Sequence, residues 1–468
     1  MGNTNYITAI ELSSSKISGT VGIETYAGIK ILATASTPVK GFIPKGVVRN
    51  VDETSNAINY IINTLESSLD NVAIKRAYIS FAGLTVHSIK SKVTRSFNSY
   101  TKITHDIINE MALENDNTFQ APEGYTRVQV VNQEYKLDGK TDNNPIGAPT
   151  LQIEGNYLNI VINEQYLKQL NDSFSQADIE IADSFSAARM DADILLSKDA
   201  RRNGCALVNI GADTTTLAIY NNDILRKLIV IPLGSRNITM DLCSKQISFD
   251  EAEEIKITRG YKSPLNDQLP IDSDTINSII NARMCEILQN AKYQIEESGE
   301  RIGHIIFTGG GSKLKNLNLL LKEYLPNYRS DIISEPQFSL ESSNGVNLHG
   351  IFTTALYGLL KQGKENCCEE IKPVIYTKPV EPSIFSGDMF DQLDKNEDET
   401  PIEPQETKTE KTAGVKKNDS NTNKKGGKDD KPKGKGLFDN WFGKIKQGAE
   451  TIVGEMTKDD NDDYDFNN

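Results

Sequence analysis

Three short stretches carry residue types that hold phosphate. Glu11-Leu12-Ser13-Ser14-Ser15-Lys16 runs from an alternating, strand-like segment into a tight polar turn. Such a turn converges backbone N–H groups on an anion. The hydroxyls of Ser13, Ser14 and Ser15 and the ammonium of Lys16 add donors and positive charge. Gly211-Ala212-Asp213-Thr214-Thr215 repeats the arrangement after a second apolar strand, with two more hydroxyls. Gly309-Gly310-Gly311-Ser312 follows a third apolar strand and precedes a helix-like Leu314 to Tyr324. Glycine there lets backbone approach a ligand closely, and a following helix N-terminus favours negative charge. Glu11, just before the first turn, is a carboxylate able to hold magnesium through water.

Each feature has a plainer reading. Either turn alone is an ordinary hairpin; their recurrence in matching positions favours a polyphosphate clamped between two lobes. The glycine run is neither a Walker loop, since no Gly-Lys-Ser/Thr ends it, nor a dinucleotide fingerprint, since the GxGxxG spacing is absent. Glu251 to Lys256 opens a helix after Ser248, where capping and surface charge explain its acids. Beside a nucleotide, Glu253 and Lys256 become candidates for ribose or base contacts.

The elements that must position these residues read as alternating strands and helices up to about Gly363. Ile7 to Ser13, Lys16 to Glu24 and Lys30 to Ser36 are strands. Ile58, Ile61, Ile62, Leu65 and Leu69 mark a helix over Asp52 to Asn71, and Arg76 to Ala82 is a strand again. Ala206 to Ile210, Leu217 to Tyr220, Ile224 to Ile231 and Ile305 to Thr308 repeat that order. The repetition predicts a duplicated α/β unit in two lobes. Thr85 to Ile162, less regular, reads as an inserted subdomain.

Composition narrows the function. A formal charge of −14 argues against nucleic acid as a partner. The five cysteines have no metal-like spacing and suit a reducing compartment as inert thiols, with Cys367-Cys368 the one adjacent pair. Four scattered histidines give little support for zinc. No signal peptide is expected at the start, the myristoylation pattern fails at Tyr6, and no apolar run is long enough to span a bilayer.

After Gly363 prolines, acids and lysines replace apolar residues, and a linker is expected, spanning about 45–50 Å as a flexible coil. Beyond it Leu437, Phe438, Trp441, Phe442, Ile445, Ala449, Ile452 and Val453 form one apolar stripe at helical spacing, with Lys444 and Lys446 off it. Such a helix suits a lipid interface, and the upstream lysines add attraction to anionic lipid that Asp439, Glu450 and the acidic end oppose. Docking on a protein is the plainer alternative.

Glu11 to Lys16, Asn209 to Thr215 and Thr308 to Ser312 resemble the two phosphate loops and the adenosine loop of the actin–Hsp70–hexokinase superfamily. Three stretches are more specific: Gly41 to Val48 with its Gly-Phe-Ile-Pro-Lys-Gly, Gln133-Glu134-Tyr135 followed by Asn144-Pro145-Ile146-Gly147, and Ala252 to Lys256. Over roughly residues 5–363, and in the amphipathic C-terminal helix, the chain resembles the FtsA family of bacterial cell-division proteins.

The resemblance implies an α/β, actin-like, duplicated two-lobe fold with an FtsA-type insert, and a disordered tail ending in an amphipathic helix. The expected parts are 1–84 with 164–200, the insert at 85–163, 201–242 with 303–363, a further subdomain at 243–302, a linker at 364–436, the helix at 437–457 and an acidic end at 458–468. It implies ATP with Mg2+, self-assembly into filaments, and capture of FtsZ by the 243–302 region, where Arg259, Lys292 and Arg301 are basic residues that could meet an acidic peptide. Cytoplasmic membrane lipids and later division proteins complete the expected partners, at the inner face of the cell membrane at the division site.

Two departures bear on chemistry. The family's second loop usually begins with aspartate; Asn209 removes that charge, leaving a neutral group to act on the metal through water, and Asp213 adds a charge that could repel phosphate. Ser13 stands where the first loop has glycine. With no evident catalytic base, at most a weak ATPase is expected, and nucleotide is expected to control assembly. The rival readings are a small-molecule kinase or Hsp70-like ATPase, and a pilus-assembly adaptor of related fold.

Overall fold

The chain begins with three antiparallel strands, β1 (Tyr6–Leu12), β2 (Lys16–Thr25) and β3 (Gly28–Pro38). This computed structural model describes residues 4–370 apart from 27, 143, 263–270, 334–339, 344, 347 and 349–352. The expected helix at 437–457, the acidic end and all of the linker beyond residue 370 lie outside the described residues.

Helix α1 (Val51–Glu66) starts where the Asn50 side chain accepts from Glu53 N, leaving Ile58, Ile61, Ile62 and Leu65 on its buried face. Strands β4 (Val72–Ile74) and β5 (Arg76–Phe81) follow. An excursion then runs through β6 (His87–Lys102), α2 (His105–Thr118), β7 (Tyr125–Leu137), β8 (Lys140–Asp142) and β9 (Pro149–Asn163). The chain returns in α3 (Glu164–Gln176), β10 (Glu180–Ser186), α4 (Ala187–Leu195) and α5 (Lys198–Asn203).

The second lobe comprises β11 (Cys205–Ile210), β12 (Thr215–Asn221), β13 (Ile224–Ile231), α6 (Arg236–Cys243), α7 (Phe249–Arg259), α8 (Ser273–Glu297), β14 (His304–Thr308), α9 (Leu317–Tyr324) and β15 (Arg329–Ile332). Then come β16 (Glu341–Ser342), α10 (Thr354–Gln362) and β17 (Cys368–Glu370).

The two main sheets share one topology. The first is ordered β10-β5-β1-β2-β3-β16 and the second β13-β12-β11-β14-β15. In each, three consecutive antiparallel strands are extended by two parallel ones: β5 and β10 beside β1, β14 and β15 beside β11. This is the actin-like, duplicated two-lobe α/β fold. The period of two sends alternate residues of β11 and β12 to opposite cores. Cys205, Leu207, Ala218 and Tyr220 join the core of the first lobe, while Ala206, Val208, Leu217 and Ile219 pack with α6 to α9. The excursion forms its own antiparallel sheet, β6-β9-β7-β8, and a small core around Met111, Ile153 and Tyr157.

Two local expectations shift. Residues 368–370, inside the stretch expected as linker, form β17 against β4, because burial of Cys367 and Cys368 anchors them there. Helix α9 begins only at Leu317; a 3-10 turn, Gly310–Lys313, and a left-handed Asn316 separate it from the glycines. The helix N-terminus is therefore not at the glycine run. Among the described residues, no helix is long and apolar enough to cross a membrane.

Candidate functional site

The β1–β2 register pairs Leu12 with Ile17, so Ser13 to Lys16 must turn within four residues. Ser13 closes that turn itself: its N–H donates to Lys16 O at 3.0 Å, and its Oγ donates to Lys16 O at 2.8 Å and accepts from Lys16 N. The Ser13 hydroxyl is thus engaged by its own turn, as the serine side chain favours locally. The β11–β12 turn is built alike, with Gly211 N donating to Thr214 O at 2.8 Å and Thr215 Oγ1 tied to Leu233 O at 2.8 Å. Among the described residues, the amides of Ser14, Ser15, Ala212, Asp213 and Thr214 find no protein acceptor. Ser14 is buried, Ala212, Asp213 and Thr214 are half-buried and Ser15 is exposed; an amide shielded from water requires a partner.

Arg236, at the start of α6, ties the two turns together. Its guanidinium pairs with Asp213 at 2.9 Å and donates to Ser14 O at 3.1 Å, so one side chain spans both lobes. The other Asp213 oxygen accepts from Lys45 N at 3.0 Å, which gives the Gly-Phe-Ile-Pro-Lys-Gly stretch a place at the site. Asp213 therefore does not face phosphate as an uncompensated charge. Burial lowers the Lys16 pKa; Glu11 opposes that shift, and Lys313, beside the glycine run, adds to it. Two ammonium groups from opposite lobes repel here, a field that an anion would relieve.

Two carboxylates stand at the roots of the turns, Glu11 directly before the first and Asp191 through Asn209 at the second. Glu11, at the end of β1, accepts from Thr353 Oγ1, the cap of α10. Asp191, from α4, accepts from Thr354 Oγ1 at 2.5 Å and from Asn209 Nδ2 at 2.7 Å, and is 3% exposed. Burial, and then the Glu11 charge, push the Asp191 carboxyl up to about 7, against the two donors. Burial likewise raises Glu11, opposed by Thr353 and Lys16. No set of three or more His, Cys, Asp or Glu side chains converges on a metal position among the described residues.

The glycine run abuts Asn209 and Ile210. Gly309 has φ +88°, and a Cβ there would lie 2.3 Å from Asn209 Oδ1; one on Gly311 would lie 2.4 Å from Ile210 Cγ2. Only glycine permits so close an approach. Ser312, buried, donates to Gly309 O at 2.8 Å.

Glu253 and Lys256 lie on α7, which Ser248 caps. They form a knot with α6: Lys256 Nζ donates to Glu253 Oε2 at 2.7 Å, Thr239 Oγ1 at 3.0 Å and Ser235 O at 3.4 Å, and Thr239 Oγ1 donates to Glu253 at 2.6 Å. Burial lowers the Lys256 pKa, Glu253 opposes the shift and Arg236 adds to it. The knot thus borders Arg236 and, through it, the second turn. Arg259 ends α7, Lys292 lies on α8 at 3.9 Å from Glu296, and Arg301 is exposed before β14, so these three sit on separate elements.

Sequence reasoning missed Asp191, Arg236, Thr353 and Thr354. Asp191 alone had a local signal, an acid among the apolar positions Ala188, Met190, Ala192 and Leu195 of α4.

A family model described as cell division protein FtsA matches residues 206–342. A cell division protein FtsA of Porphyromonas gingivalis is 28% identical over 69% of this chain and 71% of its own. That of Bacillus subtilis is 25% identical over 70% and 78%. In fold, a solved structure of the PilM–PilN type IV pilus biogenesis complex is similar with a TM-score of 0.57 and 15% identity, over 78% of this chain and 99% of that one.

Proposed function

We infer the function from the premise that this chain belongs to the FtsA family of actin-like cell-division proteins. It binds ATP with magnesium between its lobes, assembles with copies of itself into filaments, and captures FtsZ. The segment 437–457 ties that assembly to the inner face of the cytoplasmic membrane, where later division proteins join.

The observation that carries the reading is Arg236 tying the two turns together, with five amides of those turns finding no protein acceptor among the described residues. Those amides and Lys16 would bind phosphates; Lys313 and Ser312 border the same space from the glycine run. Glu11 and Asp191 fit a hydrated magnesium, which typically takes one or two carboxylates plus phosphate oxygens rather than a full protein cage. When bound, that ion supplies neutralising charge between phosphate and carboxylates. Both Asp191 oxygens already accept protein hydrogen bonds, which leaves it poorly placed as a general base and supports weak hydrolysis at most. Many copies in a filament would bind membrane through avidity, although one such segment binds weakly.

Two titrations test the reading. Calorimetry with ATP should show binding that Lys16→Ala weakens; absence of binding by the native chain would remove the nucleotide premise. Trp441, the single tryptophan, should shift to the blue with anionic liposomes, and lose that shift in Phe442→Glu. Emission already blue without lipid and unchanged by it would turn the tail into a protein-docking arm. Binding of an FtsZ tail peptide separates this reading from the pilus-adaptor one.

A further inference from the structure

We propose that Asp191 returns to the site the negative charge that Asn209 leaves out of the second turn, acting as a positioning residue through its hydrogen bond to the Asn209 amide. The inference rests on the nucleotide reading above.

A carboxylate only accepts hydrogen bonds, so it draws the Nδ2 side of Asn209 and no other. The 2.7 Å contact from Asn209 Nδ2 to Asp191 Oδ2 therefore fixes which way the amide faces. Oδ1 is left against Gly309, where the missing side chain makes room for it. Thr354 holds the other Asp191 oxygen at 2.5 Å, so the carboxylate cannot rotate away without losing a second partner. An asparagine at 191 could both donate and accept, and either amide could then flip. The charge at 191 also acts on the site directly, since it is close enough to Glu11 for the two carboxylates to repel. A purely structural role would need only two satisfied oxygens. A charge beside Glu11, at the end of the two phosphate-facing turns, adds attraction for a cation bridging to phosphate.

The test is the ratio of ADP affinity in excess magnesium to that in EDTA, measured by calorimetry on the full chain at about pH 8.5, where Asp191 is ionised. Asp191→Asn should lower this ratio about tenfold, most of the effect appearing in the magnesium titration. The exchange N209D/D191N keeps the hydrogen bond and moves the charge to its other side; it should restore the ratio to within about threefold of native. A native ratio in Asp191→Asn, or an exchanged protein that folds but keeps the low ratio, would overturn the proposal. Should Asp191→Asn lose its cooperative melt, Asn209→Ala decides alongside the exchange: it should lower the ratio, and a native ratio there overturns the idea. Failure of the native chain to bind ADP in either condition would sink the nucleotide reading instead.

Discussion

Arg226 of β13 and Glu134 of β7 are joined by a 2.6 Å ion pair whose side chains are 8% and 20% exposed. Around it, Gln133 Nε2 donates to Leu225 O at 2.8 Å, and Ser88 Oγ donates to Leu228 O at 3.2 Å while accepting from Leu228 N at 2.8 Å. β13 is the edge strand of its sheet, and an uncovered edge invites pairing with another chain. The excursion sheet caps that edge with side chains. It is covalently part of the first lobe and hydrogen-bonded to the second, so any opening of the lobes must break or carry this contact.

Glu134→Ala should cost about 3 kcal/mol, because it leaves the Arg226 guanidinium buried and unpaired. The double change with Arg226→Met should cost less than Glu134→Ala alone. Urea denaturation of the native chain and the two variants measures both; a loss under about 1 kcal/mol in Glu134→Ala would mean that solvent screens the pair.

Arg236→Ala frees Asp213 as an uncompensated charge on the second turn and unties it from Ser14. ATP affinity should fall about tenfold or more, and Asp213→Asn in the same background should recover part of it. Equal affinity in the single variant would show that the turns hold their places without the bridge.

Asp191 makes stability depend on pH in the uncommon direction for a carboxylate. Its pKa rises from an ordinary 3.8 to about 7 on folding, from burial and then Glu11, while Thr354 and Asn209 oppose. The folded state therefore binds the proton more tightly. Its contribution is full below about pH 4 and lost as pH rises through about 7. Asp191→Asn mimics the protonated form, so the nucleotide-free native chain should lose stability relative to this variant between pH 5 and about 7.5. Glu11, and Lys16 beside it, are the charged groups to vary as controls. A constant difference across that range would mean that Asp191 stays ionised.

The glycine run offers a paired test. Gly309→Ala forces a left-handed φ and a Cβ 2.3 Å from Asn209 Oδ1, whereas a Cβ on Gly310 meets nothing within 4 Å. The first should cost about 2 kcal/mol or more, and the second stay within about 1 kcal/mol of native. Similar melting of the two would mean that the loop relaxes away from Asn209.

The sequence by itself determined the parts set by neighbours along the chain. The period of two in β1 and β11, the serine-rich and threonine-rich turns after them, the Ser248 cap and the apolar face of α1 are all local signals. The repetition of strand order then pointed to two lobes of one topology. Tertiary structure alone decided what faces what. Arg236 meets Ser14 across 222 residues, and Thr354 meets Asp191 across 163. No periodicity encodes such pairs, because their partners are fixed only when the two sheets pack. The same holds for charge: Asn209 read as a carboxylate removed, until the fold placed Asp191 one hydrogen bond away.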